Sequence, residues 1–355
     1  MVNVTTNTDK IFMQRCIELA KNGSLYTKPN PMVGCVIVHD GQIIGEGYHN
    51  KYGEAHAEVN AINAVENKDL LKESTLYVNL EPCSHFGKTP PCADLIIEKK
   101  IPRVVIGNID PHEKVSGKGI EKLEKAGCSV SSGILEDECW ELNKMFFTFH
   151  TKKRPYIILK WAESADGFID KIRNENDPIG PNWITNEKSR QLVHKWRAEC
   201  QAIMVGANTI KKDNPLLNVR AWPGNNPLRV IIDKYADIPA TSAVFNKEIQ
   251  TLVFTKKASQ TKHGLEYIHI EENRHILDFV LNILFERNIT SLFVEGGTRL
   301  IENFMEHNYW DEARVFRGSV RFDKGIEAPL PNHALRYCNT VFGTQLINIY
   351  PKSNI

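Results

Sequence analysis

The chain has 355 residues, 42% of them hydrophobic and 25% charged, which is the composition of an ordinary soluble globular protein. This length is too great for one average domain and is sufficient for two. The 44 Lys and Arg residues nearly balance the 43 Asp and Glu residues, so no basic field indicates binding to nucleic acid or to an acidic membrane surface.

The sequence lacks the usual signs of export or membrane insertion. The N-terminal residues show no basic region followed by an apolar run, so no signal peptide is expected. No apolar run approaches the length of a membrane span, about 20 residues. The eight cysteines are scattered rather than arranged as a disulfide framework. These features predict a reduced, cytoplasmic protein.

Predicted helices and strands alternate in the first half. Met13, Cys16, Ile17 and Ala20 recur at helical spacing, and a helix here should end at residues 22–23. The hairpin signal Asp40-Gly41 joins two expected strands. The remaining predicted strands are 75–80, 103–107 and a short one from 130, and the remaining helices are 56–66, 93–100 and 120–126. The alternation indicates an α/β domain with a partly parallel sheet.

Three residues of this half have the pattern of a metal site. His56 opens one predicted helix, Cys83 follows the strand 75–80, and Cys92 precedes the next helix. One imidazole and two thiolates leave the fourth position of a tetrahedral zinc open, as in a catalytic site. Glu58 is placed to shuttle protons, as in zinc-dependent nucleobase deaminases. The alternative is a buried histidine with two unrelated cysteines.

The spacing of the two cysteines departs from the usual deaminase pattern. Eight residues separate Cys83 from Cys92, where that pattern has two. The insertion requires a loop that leaves the metal and returns, and loops beside a metal commonly read the substrate. Ser84, His85, Lys88 and Thr89 give this loop donors suited to a phosphorylated, polar substrate.

The second half is also predicted to be α/β, with an open sheet. The polar and basic stretch 148–154, closed by Pro155, is the expected interdomain linker, and it divides the chain into domains 1–150 and 151–355. Asn186 is expected to cap a helix that runs through Arg197. The predicted strands are 156–161, 202–206, 228–233, 251–255, 291–294 and, as the last clear strand, 312–317, and the further helices are 276–285 and 298–307.

Motifs in the first half resemble those of a known family. They are Pro29-Asn30-Pro31-Met32-Val33-Gly34, Gly47-Tyr48-His49, His56-Ala57-Glu58 and the segment from Glu81 to Cys92. This half resembles the deaminase domain of the bifunctional pyrimidine deaminase/reductase family of riboflavin biosynthesis, often called RibD. The long loop between the cysteines separates it from cytidine, guanine and tRNA-adenosine deaminases.

The resemblance implies a cytidine-deaminase-like fold and the deamination of 2,5-diamino-6-ribosylamino-4(3H)-pyrimidinone 5′-phosphate to the uracil. The residues that match positions contacting base or phosphate are Asn30, His49, His85, Lys88 and Asp110. Each of these, taken alone, could equally be a turn or surface residue.

The order of motifs in the second half is similar to the reductase half of the same family. These motifs are Leu159-Lys160, Ser164-x-Asp166-Gly167, Trp183-Ile184-Thr185, Arg197-Ala198, Gly206-x-x-Thr209, Asp213-Asn214-Pro215 and Glu295-Gly296-Gly297-Thr298. The resemblance implies a dihydrofolate-reductase-like fold, NADPH as the cofactor, and hydride transfer to C1′ of the ribosylamino group. No G-x-G-x-x-G opens the first strand–helix unit, so the usual dinucleotide-binding fold is not expected. Glycines 296–297 would let N–H groups approach a pyrophosphate, although a tight turn also explains them.

The same resemblance implies roles for individual residues. The cofactor positions are Ala162, Trp183, Thr209, Asp213, Gly297, Thr298, Arg299 and Leu300, and the substrate positions are Arg197, Leu217, Arg220 and Glu295. Lys160, Asp213 and Glu295 are, in that order, candidates for the proton donor, and each could instead only position the substrate. The planar fork of arginine suits a substrate phosphate, and a surface ion pair is the alternative for both arginines.

Together these features predict a bifunctional enzyme of riboflavin biosynthesis that uses Zn²⁺ and NADPH. Its partner is a small phosphorylated pyrimidine, with no nucleic acid and no membrane, and the resemblance implies a homodimer formed through the reductase half. One alternative is a deaminase with an inactive structural or dimerisation domain, and another is a deaminase for a different base or for nucleic acid. A third is a zinc-stabilised binding module in which His85 or His49 supplies a fourth ligand.

Overall fold

The computed structural model describes residues 7–86, 90–113, 115–174, 176–262, 264–271, 275–332 and 334–352. The chain divides into two compact units, Met1–Lys153 and Arg154–Ile355. Lys88 and Thr89, which were expected to serve the metal loop, lie outside the described residues. Within the described ranges, no helix has both the length and the apolar character needed to cross a bilayer.

The first unit is built on a five-stranded sheet. Its strands are β1 (Gly34–His39), β2 (Gln42–Tyr48), β3 (Thr75–Leu80), β4 (Arg103–Asn108) and β5 (Ser129–Ser131), in the spatial order β2-β1-β3-β4-β5. Its helices are α1 (Asn7–Lys21), α2 (Ala57–Ala64), α3 (Cys92–Glu98), α4 (Lys118–Lys125), α5 (Glu136–Leu142) and α6 (Lys144–Lys152), with a 3₁₀ helix at Lys68–Glu73. Strand β1 is antiparallel to β2 and β3, whereas β3, β4 and β5 are parallel, so the predicted partly parallel sheet is confirmed.

Helices cover both faces of this sheet, which is why its central strands are almost uninterrupted apolar runs. Successive side chains of a strand point to opposite faces. Ile37 therefore belongs to the core formed with α2, α3 and α4, whereas its neighbour Val36 belongs to the core formed with α1 and α5.

The side of α2 that packs on the sheet contains Ala57, Glu58, Ala61 and Ile62. One prediction for the first unit is wrong. The expected linker 148–154 is helical as far as Lys152, because Phe146, Phe147 and Phe149 give α6 a buried side. The basic residues among them make this apolar pattern hard to recognise in the sequence.

The second unit is built on a ten-stranded sheet. The strands of the whole unit are β6 (Tyr156–Glu163), β7 (Phe168–Lys171), β8 (Ala202–Gly206), β9 (Leu228–Ile232), β10 (Thr251–Thr255), β11 (Gln260–Lys262), β12 (Leu265–His269), β13 (Ser291–Val294), β14 (Glu312–Arg317), β15 (Gly325–Glu327), β16 (Ala334–Val341) and β17 (Thr344–Pro351). The order in the large sheet is β11-β12-β10-β9-β8-β13-β6-β14-β17-β16, and β7 pairs with β15 separately. The helices are α7 (Glu187–Glu199), α8 (Ala207–Asp213), α9 (Ile276–Glu286) and α10 (Thr298–Glu306), with a 3₁₀ helix at Ala243–Phe245.

The seven neighbouring strands β12, β10, β9, β8, β13, β6 and β14 all run parallel to one another. The carboxyl ends of these strands therefore share one edge, where ligands of open α/β sheets bind. Asn186 caps α7 as predicted, because its side-chain oxygen accepts a hydrogen bond from Ser189 N at 2.9 Å.

The end of the chain differs from the prediction. Strand β14 is followed by β15, β16 and β17, and β17 pairs antiparallel with β14. The turn between β16 and β17 has positive φ at Phe342 and Gly343, at +53° and +76°. Asn or Asp is the usual first residue of such a turn, so a phenylalanine there conceals the hairpin in the sequence.

Candidate active sites

His56, Cys83 and Cys92 meet at the carboxyl edge of the first sheet. His56 Nδ1 lies 3.3 Å from Cys92 Sγ and 3.6 Å from Cys83 Sγ. His56 immediately precedes α2, Cys83 follows β3, and Cys92 is the first residue of α3. The three ligand atoms lie within 4.8 Å of one another, and no other histidine, cysteine or carboxylate of the described residues joins the group. This nitrogen–sulfur donor set fits a tetrahedral zinc with one position left for a non-protein ligand.

The two cysteines differ in acidity. The main-chain N–H of Cys92 donates to Cys83 Sγ over 3.3 Å. The pKa of Cys83 falls to about 4, chiefly because the Cys92 thiol donates a hydrogen bond to it, with further contributions from the hydrogen bonds of His56 and of this N–H group. The same thiol–thiol hydrogen bond and burial raise the pKa of Cys92. The pair therefore holds a thiolate at neutral pH, which is the form that binds metals.

Glu58 lies beside this cluster on the buried side of α2. Its side chain is hydrogen-bonded to the Cys92 thiol, and burial raises its pKa although His56 opposes the shift. A carboxyl group whose pKa is moved toward neutrality can take up and release protons near physiological pH.

Asn30 and His49 form a polar pair next to His56. His49 Nδ1 donates to the Ala55 carbonyl at 3.0 Å, so its Nε2 accepts from Asn30 Nδ2 at 3.1 Å. Burial lowers the pKa of His49 and keeps the ring neutral. The His49 and His56 ring centroids are 5.5 Å apart, edge to face. Both nitrogens of His49 are thus used, and His49 does not supply a fourth metal ligand.

Asp110 and His85 lie on two loops that meet through His112. Asp110 Oδ1 accepts from the main-chain N–H of His112 at 2.7 Å, and burial raises the pKa of Asp110 to about 7. The rings of His112 and His85 are stacked with centroids 6.2 Å apart. His85 itself is exposed and does not join the metal cluster. Sequence reasoning missed His112, although its position just after β4, the parallel neighbour of β3, was an available signal.

The second unit gathers three charged residues at the carboxyl edge of its sheet. Arg197 Nε and Nη2 donate to the two oxygens of Glu295 at 2.6 and 2.8 Å, and its Nη1 donates to the Asn218 carbonyl at 3.1 Å. Val294 is paired with Leu159, so the next residues, Glu295 and Lys160, are neighbours. Burial lowers the pKa of Lys160, although Glu295 opposes the shift. Burial would raise the pKa of Glu295, but Arg197 outweighs it and the pKa falls.

The helices α8 and α10 begin at the ends of the neighbouring parallel strands β8 and β13. A Cβ placed on Gly297 would lie 3.7 Å from Thr209 Oγ1 and would otherwise meet open space. The structure therefore brings together Thr209 and Gly297, with Thr298, Arg299 and Leu300 in the first turn of α10.

The other cofactor positions lie on different elements. Ala162 is on β6, two residues after Lys160. Trp183 is exposed, and the Arg190 guanidinium lies 4.4 Å from its ring centroid. Asp213 ends α8 and is ion-paired with Arg173, whose Nη2 is 2.8 Å from Asp213 Oδ1. Burial raises the pKa of Asp213, with Arg173 acting against it. Sequence reasoning missed Arg173 because no local pattern links it to a residue 40 positions later.

The remaining substrate positions follow α8. Leu217 is buried and has a φ of +49°, which is rare for a leucine. Arg220 is exposed, and its Nη1 donates to Asn218 Oδ1 at 3.0 Å. Arg197, in contrast, is largely buried and already uses three of its donor groups within the protein.

Comparisons with known proteins agree with this arrangement. Residues 6–108 match the cytidine and deoxycytidylate deaminase zinc-binding region, and residues 155–321 match the RibD C-terminal domain. The riboflavin biosynthesis protein RibD of Aquifex aeolicus is 42% identical over 323 residues, which are 90% of this chain and 89% of that protein.

Solved structures are similar over nearly the full length. A diaminohydroxyphosphoribosylaminopyrimidine deaminase/5-amino-6-(5-phosphoribosylamino)uracil reductase from Thermotoga maritima has a TM-score of 0.87 at 38% identity, covering 97% of this chain and 99% of that one. RibD from Acinetobacter baumannii, in one crystal form, has a TM-score of 0.86 at 32% identity with the same coverage. These matches confirm the predicted fold class of both halves. The chain belongs to the RibD family and is a bifunctional enzyme of riboflavin biosynthesis, with a deaminase domain followed by a reductase domain.

Proposed function

We propose that the first domain deaminates 2,5-diamino-6-ribosylamino-4(3H)-pyrimidinone 5′-phosphate and that the second domain reduces the ribosyl side chain of the product with NADPH. The product would be 5-amino-6-(5-phosphoribitylamino)uracil. One observation supports this most directly: the same chain holds the His56–Cys83–Cys92 cluster beside a buried glutamate and the Lys160–Arg197–Glu295 cluster. The Thermotoga maritima relative, which is named for both reactions, also supports it.

The deaminase chemistry would depend on Glu58. His56, Cys83 and Cys92 would hold zinc, which supplies a Lewis acid and lowers the pKa of bound water toward about 7. Glu58 would accept the water proton and deliver protons to the ring nitrogen and to the departing ammonia. Its raised pKa suits this shuttle because the carboxyl group must be alternately deprotonated and protonated during one turnover.

The substrate would be oriented by the polar residues around the cluster. Asn30 donates through Nδ2 to His49, which leaves its Oδ1 as an acceptor for an amino group of the pyrimidine. Asp110 would contact the base or the ribosyl phosphate from the loop after β4. His85 and Lys88 would contact the phosphate from the metal loop.

The reductase chemistry would depend on Lys160. NADPH, when bound, supplies the hydride for C1′ of the open-chain imine. Lys160 is the favoured proton donor because burial lowers its pKa, whereas Asp213 and Glu295 are each paired with an arginine. Thr209, together with Gly297 and the first turn of α10, would bind the cofactor, with Ala162, Trp183 and Asp213 as further contacts.

Two arginines would have different roles at the reductase site. Arg220 is exposed and keeps donors that could hold the substrate phosphate in a bidentate manner. Arg197 is committed to Glu295 and to the Asn218 carbonyl, so it would contact the substrate only with its remaining N–H groups. The presence of this half-buried charge cluster favours an active reductase over a purely structural second domain.

Mutation of a metal ligand tests the zinc assignment. Cys83→Ala should lose most of its zinc, because two ligands remain, and should lower the thermal stability of the first domain. Metal analysis and differential scanning calorimetry measure these effects. Cys128→Ala, which changes a half-buried cysteine outside the cluster, should keep its zinc. A fully metallated Cys83→Ala protein would show that Cys83 is not a ligand.

An assay of ammonia release and NADPH oxidation in one cuvette tests the two activities and the role of Glu58. Wild-type protein should release ammonia first and then consume NADPH to the same final stoichiometry. Glu58→Gln should retain zinc and lose deamination by about 10²- to 10⁴-fold, because the proton shuttle is absent. Its reduction of the deaminated uracil should be unchanged, and the exposed Glu66→Gln variant should keep both activities. Near-normal ammonia release by Glu58→Gln would remove Glu58 from this role.

The pH dependence of reduction tests Lys160. A proton donor must be protonated, so the rate should fall as pH rises through the lowered pKa of Lys160, below the ordinary lysine value of about 10.4. Lys160→Ala should spare deamination and slow reduction by about 10²- to 10⁴-fold. Lys160→Arg keeps the charge but should abolish this fall in rate at alkaline pH. An unchanged fall in rate in Lys160→Arg would exclude Lys160 as the titrating donor.

We also propose a homodimer formed through the reductase domain. Strand β16 is an edge of the ten-stranded sheet, and residues 336–340 are all exposed. Such an open edge is a template for pairing with another chain. Tyr337→Lys should therefore weaken the dimer, whereas Tyr235→Lys, at an exposed position away from β16, should not. Sedimentation velocity measures both variants, and a Tyr337→Lys protein as dimeric as wild type would refute this interface.

A further inference from the structure

Glu81 is a buried carboxylate that the proposed chemistry does not use. It follows β3 and lies two residues before Cys83, with 4% of its surface exposed. Its Oε1 accepts from the main-chain N–H groups of Gly119 and Ile120 at 2.8 and 3.3 Å. Its Oε2 accepts from those of Gly117 and Asp110 at 2.9 and 3.2 Å. These contacts all come from main-chain N–H groups, which form stronger hydrogen bonds to a carboxylate than to a neutral acceptor.

These four donors lie at the two ends of one loop. Asp110 begins the loop after β4, and Gly117 to Ile120 form its return into α4. Glu81 therefore ties both ends of the loop to the segment that carries Cys83. A second contact reinforces the attachment, because Gly119 is so close to the chain that a Cβ there would lie 2.1 Å from the Pro82 carbonyl oxygen.

The same loop reaches two other parts of the deaminase domain. His112 stacks on His85 of the metal loop, with centroids 6.2 Å apart, and packs against His150 of α6 at 4.7 Å. The position of the loop thus affects both the placement of Asp110 and the packing of the three histidine rings.

We propose that Glu81 is a positioning residue of the deaminase site, which fixes Asp110 relative to Cys83 and thereby sets substrate binding. This inference rests on the proposed role of Asp110 as a substrate contact. It predicts that loss of the Glu81 carboxylate impairs the binding of the pyrimidine while the metal ligands keep their places. A purely structural role, as a cap of α4, predicts instead a loss of stability with no specific effect on KM.

The substitution Glu81→Gln separates these roles because it keeps the size of the side chain. An amide has one acceptor oxygen, and its NH₂ group would face main-chain N–H donors that it cannot satisfy. The loop would shift, and a displacement of about 1 Å at a binding site can cost about 10²-fold in efficiency.

The experiment uses the full-length zinc-loaded enzyme and a double-mutant cycle of Glu81→Gln and Asp110→Asn. We expect Glu81→Gln to raise KM for the diaminopyrimidinone substrate by about 10- to 100-fold, with a much smaller change in kcat. Zinc content and reduction of the deaminated uracil should match wild type. Asp110→Asn should raise KM as well, and the double variant should be no worse than Asp110→Asn alone, because Glu81 acts through Asp110.

Each contrary outcome has a distinct meaning. A wild-type KM in Glu81→Gln, or effects of the two substitutions that multiply, would overturn the positioning role and leave the proposed deamination intact. A wild-type KM in Asp110→Asn would remove Asp110 from the substrate site, and the inference would fall with it. If Glu81→Gln does not fold, Glu81→Asp keeps a carboxylate that is one methylene shorter and should give an intermediate KM. A folded Glu81→Asp protein with wild-type KM would overturn the inference.

Discussion

Parallel pairing of neighbouring strands is the constraint on which both sites depend. Parallel strands deliver their carboxyl ends to the same edge of a sheet, so residues distant in sequence meet there. In the first unit the pairing of β3 with β4 sets Cys83 and the Asp110 loop side by side. In the second unit the pairing of β13 with β6 does the same for Glu295 and Lys160. A shift in either register would separate the groups to which the proposed chemistry assigns roles.

Burial then changes the chemistry of the groups at these edges. Desolvation raises the pKa of Glu58 and of Asp110 and lowers that of Lys160. The pKa values of the two carboxyl groups rise toward neutral pH and that of the ammonium group falls toward it, which suits proton transfer at physiological pH. Glu295 behaves differently because the bidentate Arg197 pairing outweighs its burial. The Arg197 pairing thus favours the anionic form of Glu295, whereas Asp213 keeps a raised pKa although Arg173 is paired with it.

The structure also argues against two alternatives to a bifunctional enzyme. A zinc-stabilised binding module needs a fourth protein ligand, but both nitrogens of His49 are occupied and His85 lies outside the metal cluster. A deaminase with an inactive second domain would have no need for a half-buried lysine beside a paired arginine and glutamate. Charged groups are costly to bury, so their presence together indicates a retained function.

The sequence by itself indicated the candidate metal-site residues and most strands and helices, because these depend on local spacing and apolar periodicity, and it indicated the family through the resemblance of its motifs. His56, Glu58, Cys83 and Cys92 were identified as candidates in this way. Only the tertiary structure decided which partners the buried charges have, as Arg173 for Asp213 and four main-chain N–H groups for Glu81 show. It also decided the last hairpin, where Phe342 adopts a positive φ. Such pairings and turns depend on contacts between segments far apart in the chain, and no local pattern encodes them.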